Sequence, residues 1–174
     1  MAISRNNPAN IRYNPLNNWV GQVGNDGGFV VFDSPHNGTR AQFKLLRTYI
    51  SRGYDTLSEI IARYAPPSEN DTSNYINYVS ATTGINPDAR LVFSDNVKME
   101  RIATAMQIME SGDSVDASVM SSAYRDASDS GYFNPTNMLP EVTITATDPK
   151  WGLYVVLSIV TIIFVYVLTR KTNG

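Results

Sequence analysis

The chain has 174 residues, a net charge of −2, no cysteine and no basic run. That length holds one domain of ordinary size; disulfides, thiolate metal sites and a cysteine nucleophile are excluded together, and the charge argues against a nucleic-acid partner. The one histidine, His36, lies in the turn-like Ser34-Pro35-His36-Asn37-Gly38, with no nucleophile-elbow pattern to make a Ser-His-Asp hydrolase of it.

Met1 to Asn10 is polar and has no apolar stretch of the kind a secretory leader needs. Residues 5–40 are dense in asparagine, glycine and proline but carry Tyr13, Trp19, Phe29 and Phe32. Gly28-Phe29-Val30-Val31-Phe32-Asp33 reads as a short strand after the turn Gly24-Asn25-Asp26-Gly27. Thr39 to Arg52 reads as a helix with Ala41, Leu45, Leu46, Tyr49 and Ile50 inward and Gly53 ending it. Thr56-Leu57-Ser58-Glu59 is a capping box, which gives Glu59 a structural role, and Pro66-Pro67 ends the helix it opens. Ser68 to Thr72 caps a third helix carrying Tyr75, Ile76 and Val79 and closed by Gly84.

The helix of most interest is Met99 to Ser111. Met99, Ile102, Ala103, Met106 and Met109 recur at the spacing of one helical face, and Glu110 is expected to project from that face just before the stop at Gly112. A carboxyl at the end of a core-facing helix is partly desolvated, so it holds its proton to higher pH. A general acid for a glycosidic bond has this requirement. The competing expectation is an ordinary last-turn glutamate that reaches out to water.

From Ser111 the chain becomes rich in serine, aspartate and small residues, and it reads as a tether with one weak helix over 115–127 and an extended patch over 142–145. Trp151 to Leu168 is uncharged, rich in Val, Ile and Leu, and bounded by Lys150 on one side and Arg170 and Lys171 on the other. A run of about eighteen such residues is long enough to cross a bilayer as a helix. The expected organisation is therefore a domain at 1–112, a linker at 113–149, a transmembrane helix at 150–170 and a short basic tail at 171–174. No phosphate-cradling glycine loop or calcium loop is present, and no cofactor or metal is expected.

Three stretches resemble a phage lysin family of lysozyme-like peptidoglycan-cleaving proteins. They are Arg5-Asn6-Asn7-Pro8-Ala9-Asn10-Ile11-Arg12-Tyr13 with Trp19 and Gly21-Gln22; Gly28-Phe29-Val30-Val31-Phe32-Asp33-Ser34-Pro35 running into Gly38-Thr39-Arg40-Ala41; and Ile60 to Thr72. The asparagine-rich and Phe-Asp-Ser-Pro pieces also look like portions of flagellar-type glucosaminidases. The resemblance implies a mainly α, α+β lysozyme-like domain. In such enzymes a Glu-Ser-Gly motif at a helix end precedes the asparagine-rich stretch. Here Glu110-Ser111-Gly112 follows it, so a circularly permuted order is expected, with the Glu110 helix packed beside the N-terminal loops. The family usually has glycine where this chain has Ala9; were that position left-handed, alanine would strain it by about 1 kcal/mol.

What the resemblance implies is a membrane-anchored, virion-associated muramidase or lytic transglycosylase that cleaves glycan strands during host entry or exit. Glu110 would be the acid. Asp33 and Asp26 are the candidates for a second carboxylate, and the weakness of both tilts the expectation toward a transglycosylase, which needs one. Asn7, Asn10, Gln22, Asp33, Tyr64 and Tyr75 are the candidate substrate contacts. The expected partners are peptidoglycan, a lipid bilayer and other virion proteins, and the expected location is a virion membrane or the host envelope. The rivals are a virion membrane protein that keeps a lysozyme-like binding module without activity, and a peptidoglycan-binding module; a pore-forming holin fits less well.

Overall fold

Four of the five helices of the computed structural model, which describes residues 5–68 and 70–129, begin or end on a residue chosen for that place. Ser34 accepts a hydrogen bond from the Asn37 backbone N–H and Pro35 occupies the first turn, so helix α1 runs Pro35–Ser51. This is four residues earlier than the hydrophobic pattern suggested, and it puts His36 on a helix rather than in a turn. The Thr56/Glu59 capping box opens α2, Leu57–Tyr64. Asp71 caps α3, Thr72–Thr83, and Asp95 caps α4, Asn96–Ser111. Gly112, at φ 81°, supplies the left-handed residue that stops α4 directly after Glu110 and Ser111. The last helix, α5, is Ala117–Asp129.

Two antiparallel strands precede the helices. β2, Phe29–Phe32, lies within the stretch read as a short strand; its partner β1, Gln22–Asp26, takes in Gly24 to Asp26 of the stretch read as a turn. Arg12 forms an isolated bridge to Phe29 on the other side of β2, secured by Tyr13 N–H to the Gly28 carbonyl at 2.8 Å and Val30 N–H to the Ile11 carbonyl at 3.0 Å. The N-terminal loop is thereby fixed to the hairpin.

The hairpin and the loop share a small core of Ala9, Ile11, Val30, Phe32 and Ala41, flanked by Tyr13 and Trp19. The helices share a larger one, in which Phe43, Leu46, Leu57, Ile60, Ile61, Met99, Ile102 and Met106 are fully enclosed. On α4 the inward face is broader than the pattern implied, since Ala105 and Gln107 are also buried, whereas Met109 is exposed.

The tether expected after Ser111 contains part of this core. Met120, Ala123, Tyr124 and Ala127 of α5 are buried at helical spacing against α1. Tyr124 lies edge-on to Phe43 and stacked on Phe93, both at 5.3 Å, and donates to the Phe93 carbonyl at 2.6 Å. Arg47 of α1 donates to the carbonyls of Ala127 and Ser128 at the end of α5. The folded unit therefore reaches the end of α5 rather than stopping at residue 112. Composition hid this, because serine and aspartate fill the outer face while three of the four inward positions are small or flexible.

Two expectations are corrected. The fold was expected to be a lysozyme-like α+β domain, circularly permuted and ending in a single transmembrane helix. The described residues instead form five helices and one two-stranded sheet, and among them no helix is long and apolar enough to cross a membrane. The longest, α1, has 17 residues, or about 26 Å of helix against the ~30 Å of a bilayer core, and it carries Arg40, Lys44 and Arg47. The expected single-pass location in a virion membrane or host envelope is withdrawn on the same finding. The 150–170 span on which both rested lies outside the described residues, as does the extended patch at 142–145.

Candidate functional site

Glu110 ends α4 half-buried, beside the N-terminal loop, and the loop's Asn10 holds it directly. The Asn10 side-chain amide donates to the Glu110 backbone carbonyl at 3.0 Å and to its Oε2 at 3.2 Å. Asn10 has a left-handed backbone, φ 49°, which asparagine tolerates better than most residues. From the other side the Tyr75 hydroxyl of α3 donates to Glu110 Oε1 at 3.1 Å. Both carboxylate oxygens are thus positioned by side chains from elsewhere in the sequence.

These contacts sit at one wall of an open cleft of about 570 Å³. Tyr13, Trp19, Phe29, Tyr49 and Tyr64 line it with aromatic surface, and Asn10, Asn14, Asn17 and Asn70 line it with amides. Flat rings and amides that both donate and accept suit a polar polymer of sugar rings. Glu110 and Arg12 are the only charged groups among the described lining residues.

Burial pushes the Glu110 carboxyl above its ordinary value of 4.5; the hydrogen bonds from Asn10 and Tyr75 and the charge of Arg12 oppose the rise without cancelling it. Burial also pushes the Tyr75 and Tyr64 hydroxyls up, helped by the neighbouring Glu110 charge, so both remain protonated donors. The Tyr64 hydroxyl donates to the carbonyl of Ala9 and pins the loop just before Asn10.

The remaining sequence candidates do other work. Asn7 is fully buried; its amide donates to the carbonyls of Ile11 and Val30 at 2.9 Å and its oxygen accepts from Ile11 N–H at 2.8 Å. It braces the loop against β2 and is out of reach of a ligand. Asp33 is exposed at the end of β2, hydrogen-bonded to Asn37 and Ser34, which hold its carboxyl below the usual range. It does not line the cleft and is not a second acid there. Asp26 pairs with Arg5 at 2.6 Å. Gln22 is half-buried in β1 and is not a lining residue, while its neighbour Trp19, named from sequence as a loop aromatic and as part of the resemblance but not as a substrate contact, is. Tyr75 supports Glu110 rather than lining the cleft, and Tyr64 does line it. Ala9 is fully buried and is not among the positive-φ residues, so the expected strain is absent.

Arg12 and Asn70 were not singled out from sequence as cleft residues. For Arg12 a signal existed: it immediately follows the Asn10-Ile11 pair in the motif that carried the resemblance.

No family model matches the chain. Over 115 residues it is 37% identical to Protein P5 of Pseudoalteromonas phage PM2, a match covering 63% of this chain and 70% of that protein. The chain belongs to the Protein P5 family. It is thus a bacteriophage-type protein, and the Glu110 cleft is the site of chemical interest in this P5-family chain.

Proposed function

We propose that this P5-family chain is a phage virion-associated enzyme that cleaves peptidoglycan glycan strands by the lytic transglycosylase route. The observation that carries the reading is Glu110: a half-buried carboxyl held by Asn10 and Tyr75 in the wall of an aromatic- and amide-lined cleft, with no second carboxylate among the described lining residues. The likeness of its loop and hairpin motifs to phage lysins points the same way.

In this mechanism Glu110 enters protonated and gives its proton to the glycosidic oxygen as the bond to the anomeric carbon breaks. The resulting carboxylate then takes the proton from a hydroxyl of the same sugar as that oxygen closes onto the anomeric carbon. The proton count balances and no water is consumed. Hydrolysis would instead require a second carboxylate, about 5–5.5 Å away for retention or 6.5–9.5 Å for inversion. Asp26 and Asp33 are engaged elsewhere.

The test is release of soluble fragments from purified peptidoglycan by the full chain, with the products weighed by mass spectrometry. Anhydro ends from the wild type, and loss of release in Glu110→Gln with folding retained, are expected. Reducing ends would replace the transglycosylase step by hydrolysis. Binding to peptidoglycan without release by the folded wild type would leave a binding module, the one rival that the same cleft accommodates.

A further inference from the structure

We propose that residues 14–20 form a strap that closes over a glycan strand in the Glu110 cleft, and that the Trp19 indole N–H is the donor it brings to that strand. The proposal rests on the glycan-cleaving reading and names how the cleft holds its substrate.

The strap is fixed at both ends and lightly held between them. At its start the Tyr13 N–H bonds the Gly28 carbonyl at 2.8 Å. At its end the Gly21 carbonyl accepts from the Asp33 N–H at 2.8 Å. Gly21 takes φ 73° there, where a Cβ would fall 2.3 Å from the Asn37 amide nitrogen. Within the strap the hydrogen bonds are local. Asn17 N–H bonds the Asn14 carbonyl, Leu16 N–H bonds the Asn14 side-chain oxygen, and the Trp19 carbonyl accepts from Gln22 N–H. None reaches beyond Gln22, and the backbone N–H groups of Asn18, Trp19 and Val20 bond nothing in the protein. A loop pinned at its ends and held only by itself moves as a unit at low cost.

Its position gives that movement a use. Asn14, Pro15, Asn17 and Trp19 line the cleft, and among them Leu16 is 90% exposed. The C–H faces of sugar rings are apolar, so a strap lowered onto them takes Leu16 out of water. Trp19 is the one residue of the strap that is not exposed, because it packs against the small core of loop and hairpin. Its Nε1 is enclosed yet has no hydrogen-bond partner in the protein, and the side-chain oxygen of Gln22 at the foot of the strap is in the same state. A buried indole N–H usually finds a partner, since one left without is costly. The free protein thus holds an unspent donor at the wall of the cleft. Turning the indole as the strap closes sets that donor on an oxygen of the strand, and binding relieves the penalty that the free protein carries.

The experiment uses the full chain carrying Glu110→Gln, so that bound strands are not cut, with soluble peptidoglycan glycan strands as the probe. Trp151→Phe leaves Trp19 as the single tryptophan. Strand binding is expected to shift the Trp19 emission and to slow hydrogen exchange at the amides of residues 18–20 by about tenfold. Trp19→Phe keeps a ring and removes the N–H; it is expected to bind about three- to tenfold more weakly, the scale of one neutral hydrogen bond. Leu16→Asn alters a residue that packs on nothing in the free protein, so its unfolding should match the parent chain while binding and exchange protection both weaken. Binding that leaves the exchange at 18–20 and the Trp19 emission unchanged would overturn the strap, and strand cleavage by the chain with Glu110 intact would then leave the enzyme reading standing. Undiminished affinity in a folded Trp19→Phe chain would overturn the role of the N–H, and undiminished affinity in Leu16→Asn would overturn closure onto the strand. Slowed exchange and shifted emission without any cleavage by the chain with Glu110 intact would support the strap while removing the enzyme. Binding of no strand by the folded chain would overturn both.

Discussion

The amide of Asn10 bonds both the backbone carbonyl and the carboxylate of Glu110, two residues 100 positions apart in the sequence. The bond to Oε2 favours the ionised acid, so it lowers a pKa that burial raises. Asn10→Ala is therefore expected to move the Glu110 pKa further up. A general acid acts below its pKa, so the alkaline limb of the pH–rate profile should move to higher pH. The maximal rate should fall, by roughly ten- to a hundredfold, because the carboxyl is less well held. A profile unmoved by the substitution would mean that the bond does not tune the acid.

Glu110→Gln is expected to stabilise the fold near neutral pH. A carboxyl whose folded pKa lies above its unfolded value contributes stability that is fully present below the unfolded value of about 4.5 and is lost as pH rises through the folded value. Thermal unfolding should show the variant a few degrees above wild type at pH 7, with that difference shrinking in acid. A variant less stable than wild type at both pH values would mean that the hydrogen bonds of Glu110 outweigh the penalty of burying its charge.

Gly38 lies in α1, where alanine would ordinarily help a helix by about 1 kcal/mol. Here a Cβ would lie 2.0 Å from the carbonyl oxygen of Asn6, and 3.1 Å from Pro8. Gly38→Ala should reverse the usual sign and destabilise by about 2 kcal/mol or more, since the obstacle is backbone that cannot step aside without moving the loop. Denaturant titration measures the sign directly, and loss of fragment release should accompany it because the same loop carries Asn10.

Gln107 is the centre of a buried polar network. Its amide donates to Gln42 at 2.8 Å and Thr39 at 3.3 Å, its oxygen accepts from Val115 N–H at 3.1 Å, and Gln42 in turn donates to the Ala103 carbonyl at 3.2 Å. Gln107→Leu keeps the volume and strands those partners without water. A loss of about 2–4 kcal/mol in unfolding free energy is expected, with the start of the α4–α5 connection loosened as seen by hydrogen exchange at Val115. A neutral effect would mean that the partners find water or one another.

Tyr64→Phe removes the hydroxyl that pins the Ala9 carbonyl. A cost of about 1–3 kcal/mol is expected, together with a fall in activity, because Ala9 directly precedes Asn10. Equal stability in the two proteins would show that the carbonyl is as well served by water.

Much of this could be read without coordinates, for identifiable reasons. Thr56 with Glu59, Asp71 and Gly112 are local signals whose geometry is closed within a few residues, so the helix ends they mark were expected close to where they lie, whereas the Ser34 cap starts α1 four residues before the expected Thr39. Glu110 stood out because helical spacing and a stop glycine together place a carboxyl at the end of a buried face. The inward positions of α5 were also spaced correctly for a helix, but serine and aspartate around them gave the composition of a linker. The apolar 150–170 stretch lies outside the described residues, and among those described no helix has the length or the apolarity to cross a membrane.

The amino-acid sequence by itself determined where most helices start and stop, that no cysteine chemistry operates, and that an acid sits at the end of α4. Those properties depend on spacing and on local hydrogen bonds. Tertiary packing alone decided what that acid can do. It brought Asn10 and Tyr75 to the two oxygens of Glu110, turned Asn7 inward as a brace, left Asp33 outside the cleft and set Arg12 beside it on Phe29. Residues so far apart in the chain share no periodicity, and only the common burial of the loop, the hairpin and the helices fixes their distances.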